Sequence, residues 1–164
     1  VRYEGFGTEG IGIIVESLTD NRNRTAGDIR SIFSKHGGNL GETGSVSFMF
    51  NHLGIIKFSS EAGSFEEIFE IATDAGALDC DIMEDSFEVS CSTGDLHQVA
   101  EIIEKNIKTP ITAQLSWKPS NQIPIDKEKG LKVLGMIDVL DDHDDVQEVF
   151  ANFDLPEEIF DEIS

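Results

Sequence analysis

The sequence predicts an α+β protein built as two ferredoxin-like α/β sandwich modules with antiparallel sheets, one inserted into the other. Three observations predict it. Residues 54–120 read as strand, helix, strand, strand, helix, strand, the order of the ferredoxin-like unit. Residues 1–53 hold several strands but a single helix. Residues 121–164 add one helix and one strand, too few to bury a sheet by themselves. Joining residues 1–53 with 121–164 into one discontinuous module meets both shortages, with short crossings near Gly54 and Ser120.

The first third opens on Val1–Gly7 and Ile11–Leu18, two apolar-rich runs joined by the turn Gly7-Thr8-Glu9-Gly10. Polar residues Thr19–Arg24 form a loop. Ala26, Ile29, Ile32, Phe33 and His36 then repeat at helical spacing. Thr25 with Asp28 resembles a capping box, and Asn23 is the alternative cap. Gly37-Gly38-Asn39 stops the helix, because glycine tolerates the left-handed conformation of a C-cap. Ser45–Phe50 is expected as the next strand.

In the middle third, Ile55–Phe58 reads as a short strand. Ser64 with Glu67 three residues on is a capping box for a helix that carries Phe65, Ile68, Phe69 and Ala72 and stops at Gly76. Leu78, Cys80 and Ile82 alternate, then Phe87, Val89 and Cys91 alternate. With Glu84-Asp85 as the turn, all six share one face of a hairpin. Asp95 opens a second helix with Leu96, Val99, Ala100 and Ile103 inward. Ile111, Ala113, Leu115 and Trp117 mark the last strand of the unit.

After Pro124, Asp126 begins a helix whose apolar stripe is Val133, Met136, Ile137 and Leu140. Asp141–Asp145 breaks it, and Val146–Leu155 reads as a strand with Val149, Ala151 and Phe153 on one side.

Charge narrows the function. The net charge is −20, so the body as a whole repels a polyanion, whose phosphates require clustered Lys and Arg. The charge is unevenly placed. Residues 1–53 carry six acids and five bases, net −1; residues 54–120 carry thirteen and four, net −9; residues 121–164 carry thirteen and three, net −10. The near-neutral first third holds the basic island Arg22, Arg24, Arg30 and Lys35, and polyanion contact belongs there. Two arginines at a helix N-terminus oppose the dipole unless an anion neutralises them. Phosphate or ribosomal RNA could supply that anion, and so could this chain's own acids.

No reaction can be assigned. Lys35–Gly41 is glycine-rich but follows a helix, and Gly5, Gly7, Gly10 and Gly12 lie in a hairpin, so neither set has the geometry of a phosphate cradle. His36, His52, His97 and His143 lack metal-ligand spacing. Asp141–Asp145 could hold a hard cation weakly but lacks a calcium loop's spaced carboxylates and glycine, and reads better as a solvated helix end. No metal or cofactor is expected. Cys80 and Cys91 are too few for a disulfide framework and read as reduced core residues of a cytoplasmic protein. No run reaches the ~18 apolar residues of a membrane span, and the start at Val1 without a signal peptide is read as the mark of a fragment.

Four segments in order carry a resemblance: Tyr3-Glu4-Gly5-Phe6-Gly7, Thr19–Thr25, Lys35-His36-Gly37-Gly38-Asn39-Leu40-Gly41 and Gly44–Phe50. Together they resemble the YebC/PmpR family, which includes the mitochondrial translational activator of cytochrome c oxidase. The resemblance implies three domains: a lysine-rich helical first domain, then two α/β modules, the third inserted into the second. This sequence departs from that pattern by lacking the first domain. The resemblance further implies a regulator of gene expression, either a DNA-binding transcriptional regulator or a translation factor at the ribosome. It carries Arg22, Arg24 and Lys35 over as contact candidates and transfers no catalytic residue. The expected partner is nucleic acid, DNA or ribosomal RNA, engaged mainly through the missing domain, and the chain engages no membrane. An effector-sensing α/β module is a further alternative, because such units bind small molecules between modules.

Overall fold

The computed structural model describes residues 1–154. The fold is α+β, with antiparallel four-stranded sheets and four α-helices among the described residues. The chain forms two compact units, residues 1–51 with 118 onward, and residues 52–117. None of the described helices is long and apolar enough to cross a membrane.

β1 (Arg2–Phe6) and β2 (Gly12–Ser17) pair as an antiparallel hairpin, with Gly5 opposite Ile13. Helix α1 (Arg22–Lys35) follows, then the two-residue strand β3 (Asn39–Leu40) on the outer side of β1. The cap of α1 is Asn21, whose side chain accepts from the Arg24 N–H at 3.1 Å, so the helix starts earlier than its apolar periodicity indicates. Neither expected cap serves. Thr25 is fully buried, its hydroxyl held 2.7 Å from both Thr19 Oγ1 and Asp145 Oδ2, and Asn23 lies inside the first turn. At the other end Gly37 takes a left-handed φ of 79°. Gly38 then passes so close to β1 that an added Cβ would sit 2.2 Å from the Phe6 carbonyl oxygen.

Ser45–Phe50, expected as a strand, is a turn followed by a short 3₁₀ segment at Ser47–Met49. Backbone N–H groups of this loop converge on a carboxylate, which an extended strand with alternating N–H directions could not provide. Strand β4 instead begins at Phe50 and runs to Ser59, longer than the short run of apolar residues that marks it in the sequence.

In the second unit β4 leads into α2 (Phe65–Ala75), β5 (Asp79–Ile82), β6 (Ser86–Cys91), α3 (Leu96–Asn106) and β7 (Ile111–Pro119). Ser64 caps α2, accepting from the Glu67 N–H at 3.2 Å, and Gly76 ends it with φ 96°. The sheet order is β5-β6-β4-β7, which places the two sequence-central strands outside and inside in the ferredoxin-like manner. Ile56, Phe58, Phe87, Val89 and Cys91 meet Ile68, Ala72, Val99 and Ile103 in the core. The hairpin register pairs Cys80 with Val89 and Ile82 with Phe87, so the six alternating side chains do share a face. Burial stops at the edge, however: Ile82 is 54% exposed and Leu78 64%. Cys80 and Cys91 are free and buried. Burial pushes both thiols up, with Asp81 and Asp79 adding to it at Cys80 and Asp95 at Cys91.

The chain returns through β8 (Ile123–Pro124), α4 (Lys127–Asp141), β9 (Val146–Ala151) and β10 (Phe153–Asp154). Asp126 caps α4, accepting from the Lys129 N–H at 2.9 Å. β9 pairs antiparallel with β2, giving the order β3-β1-β2-β9, while β10 lies parallel to β8. The single strand expected over Val146–Leu155 is interrupted at Asn152, whose side chain turns in to accept the Gly12 N–H at 2.8 Å; Leu155 lies outside the described residues. Ile13, Val15, Ile29, Phe33, Val133, Met136 and Leu140 form the core of this unit between sheet and helices.

Candidate functional site

All four basic candidates lie on α1 and are exposed, but they are not equivalent. Arg24 is engaged: its guanidinium lies 3.3 Å from Asp145 and 3.4 Å from Asp20. The Asp145 hydrogen bond and charge raise the Arg24 pKa. Asp145 is held below the usual carboxylate range by the Thr25 hydroxyl first, with Arg24 adding to it against the opposing effect of desolvation. The neighbouring His143 Nε2 lies 2.9 Å from Asp28, and its Nδ1 accepts the Asp145 N–H at 3.1 Å. That acceptance leaves Nε2 as the N–H nitrogen of the neutral ring. The acidic run after α4 therefore ties its loop to the first turns of α1, around an open cavity of about 460 Å³ lined by Arg24, Asp28 and Asp142–Asp145. Among the described residues no three His, Cys, Asp or Glu side chains are grouped to hold a metal ion.

Arg22, Arg30 and Lys35 make no ion pair with a described residue. Arg22 stands in the first turn and Lys35 in the last, about 20 Å apart along the axis at 1.5 Å per residue. Arg30 and Lys35 are five residues apart and so diverge by roughly 140° around the helix. These cations can each meet a separate phosphate, and they cannot pinch one between them. Lys35 also suits the negative end of the dipole, while Arg22 opposes the positive end and gains most from an external anion.

The sequence reading missed Glu4. This carboxylate on β1 is 1% exposed and accepts the N–H groups of Gly44 at 2.8 Å, Val46 at 3.0 Å and Ser47 at 2.6 Å. Arg2 Nε lies 3.2 Å away. Burial works to raise its pKa, but the backbone donors from Gly44, Val46 and Ser47 outweigh it and the net shift is downward. The loop thus forms a concave nest of donors of the kind that binds phosphate, already filled by the protein's own side chain. One signal was present: a Glu inside a strand, on the face opposite Tyr3 and Gly5, whose own face meets the core. Gly5 and Gly38 in the same segments are packing glycines, since a Cβ on Gly5 would sit 2.5 Å from the Phe33 ring. A second cavity of the first unit, about 290 Å³, is lined by Phe48, Met49, Ser120, Asn121, Ile123 and Asn152.

These features define an α+β protein of two antiparallel-sheet units, one carried within the chain of the other, with three cations free of ion pairs to described residues gathered on one helix of the first. A family model described as the second and third domain of TACO1/YebC proteins matches residues 1–153. The chain belongs to that family, whose model is labelled a transcriptional-regulator type. It is similar to a conserved hypothetical protein, Aq1575, of Aquifex aeolicus, whose crystal structure matches with a TM-score of 0.85 and 41% identity. The likeness covers 97% of this chain and 66% of that one, so the chain spans just under two thirds of its relative's length. The resemblance drawn from four sequence segments is therefore to the family that the chain belongs to.

Proposed function

We propose that the two units are the body of a DNA-binding transcriptional regulator, and that most nucleic-acid affinity in such a protein resides in the family's first domain. The membership of residues 1–153 in a family of transcriptional-regulator type carries this reading. The charge pattern supports the division of labour. A body of net charge −20 offers phosphate few cations, of which Arg22, Arg30 and Lys35 share one helix, and its loop nest of N–H donors is occupied by Glu4. Such a body positions and regulates rather than reads.

A ribosome-associated translation factor is the second reading, and one observation favours it. The first turns of α1 are bound to the acidic loop through Asp145, so insertion of this helix into a DNA groove would bring Asp142 and Asp144 toward phosphate. Contact without base readout suits ribosomal RNA as well as it suits duplex DNA. Electrophoretic shifts with a promoter duplex and with a ribosomal RNA fragment, using this chain alone and joined to the family's first domain, test both readings. We expect retention of nucleic acid at moderate salt only with the first domain present, and preference for the duplex. Equal affinity of the two proteins would overturn the division of labour, and preference for the RNA would favour the second reading.

A further inference from the structure

Residues 58–104 contain thirteen Asp and Glu and no Lys or Arg. The same stretch holds the exposed edge of the second sheet. β5 is the end strand in the order β5-β6-β4-β7, and edge strands are ordinarily blunted by Lys, Pro or a bulge. β5 has neither Lys nor Pro; it is a short run of four residues whose charged side chains are the acidic Asp79 and Asp81, which exclude an acidic strand and leave the edge open to a basic one. Beside it stands a run of exposed apolar side chains: Phe65 at 41% and Phe69 at 47% on α2, then Leu78, Ile82 and Met83 along the strand. Phe65 and Phe69 lie with ring centroids 5.7 Å apart, and a shallow cleft between α2 and β5 is lined by Phe69, Ala72, Leu78 and Cys80.

The register fixes which backbone groups the edge offers. The Met83 N–H bonds to the Ser86 carbonyl at 2.7 Å and closes the hairpin. Alternation then turns Asp81 and Asp79 toward Glu88 and Ser90, and turns Cys80 and Ile82 outward. The Cys80 N–H is already satisfied by the Asp79 side chain at 2.8 Å. The Cys80 carbonyl and both polar groups of Ile82 remain for an incoming strand.

We propose that β5 and the aromatic ridge of α2 form a docking site for an extended, basic segment of a partner protein, added to the sheet as a fifth strand. Main-chain bonds to Cys80 and Ile82 supply affinity. Alternate apolar side chains of the partner cover Leu78, Ile82 and Phe69, and its Lys or Arg residues, on the other face of the added strand, meet Asp79 and Asp81. This site is independent of the nucleic-acid reading.

The test uses a fluorescent peptide of alternating Lys and Val, about eight residues long to match a strand, with an alternating Glu and Val peptide as control. We expect the basic peptide to bind this chain with a Kd on the order of 100 µM, to weaken as salt rises, and to protect the Ile82 N–H from hydrogen exchange. Ile82→Pro removes an outward N–H at an edge, where proline is tolerated, and should weaken binding about tenfold or more, a loss of over 1.4 kcal/mol. Phe69→Ser with Leu78→Ser, both at exposed positions, should weaken binding likewise and covers the case in which the proline variant unfolds. The proposal is overturned by no binding of the basic peptide, by equal binding of the acidic one, or by unchanged affinity in the folded variants. Sedimentation showing a dimer of this chain that Ile82→Pro dissolves would also overturn it, by identifying a second copy as the occupant.

Discussion

A carboxylate 1% exposed in a chain with thirty-two acids has to be held by specific donors, and Glu4 is held by three backbone N–H groups and Arg2. Replacing it by Gln keeps the shape but presents an amide N–H₂ to groups that donate. We expect Glu4→Gln to cost about 2–3 kcal/mol, the penalty for disrupted buried bonds to a charged acceptor. The folded pKa of Glu4 lies below its ordinary value of 4.5. Its contribution is therefore complete above the unfolded pKa and fades as pH falls through the lower folded value. Thermal melting across pH checks this: the two proteins should differ most near neutrality and converge in acid. Beyond an acid placed inside a strand, little of this was legible in the local sequence, because the donors lie some forty residues from Glu4. Arg24 illustrates the same limit. Its sequence context allowed phosphate or an internal acid as partner, and the internal acids are Asp20, one turn before it, and Asp145, on a loop far along the chain.

At the scale of elements, the readable features are those whose causes are local. Ser64 with Glu67, Gly76, the Glu84-Asp85 turn and the Asp126 cap all appear where short-range pattern places them. Local pattern fails where a distant group decides the outcome. Ser45–Phe50 has strand composition, yet Glu4 gathers its N–H groups into a turn. Val146–Leu155 has strand alternation, yet at Asn152 the carbonyl turns away to accept the Ile123 N–H and the side chain takes the Gly12 N–H in its place. The start of α1 was displaced because Thr25 is drawn into the core by Asp145, leaving Asn21 to cap. Asn21→Ala should therefore destabilise the protein by about 1 kcal/mol, read as a lower midpoint in chemical denaturation. No such effect is expected from Asn23→Ala.

For the whole molecule, the order β-α-β-β-α-β of the second unit was legible because each element in it signals its own ends. The first unit is harder to read, since its sheet closes only when β9, more than a hundred residues on, pairs with β2. Net charge acts at this scale too. It is spread over both units, whereas the unengaged cations of α1 sit on one element of the first. In the proposed reading the three cations of α1 meet phosphate, while the acidic surface of both units repels it. The direct measurement is the affinity of this chain for a DNA duplex across a range of salt concentrations, before and after joint replacement of Arg22, Arg30 and Lys35 by Ala. Three phosphate contacts give weak binding with a log–log slope of about −2.7, and the replacement should abolish it. Tight or sequence-selective binding that survives the replacement would contradict the account.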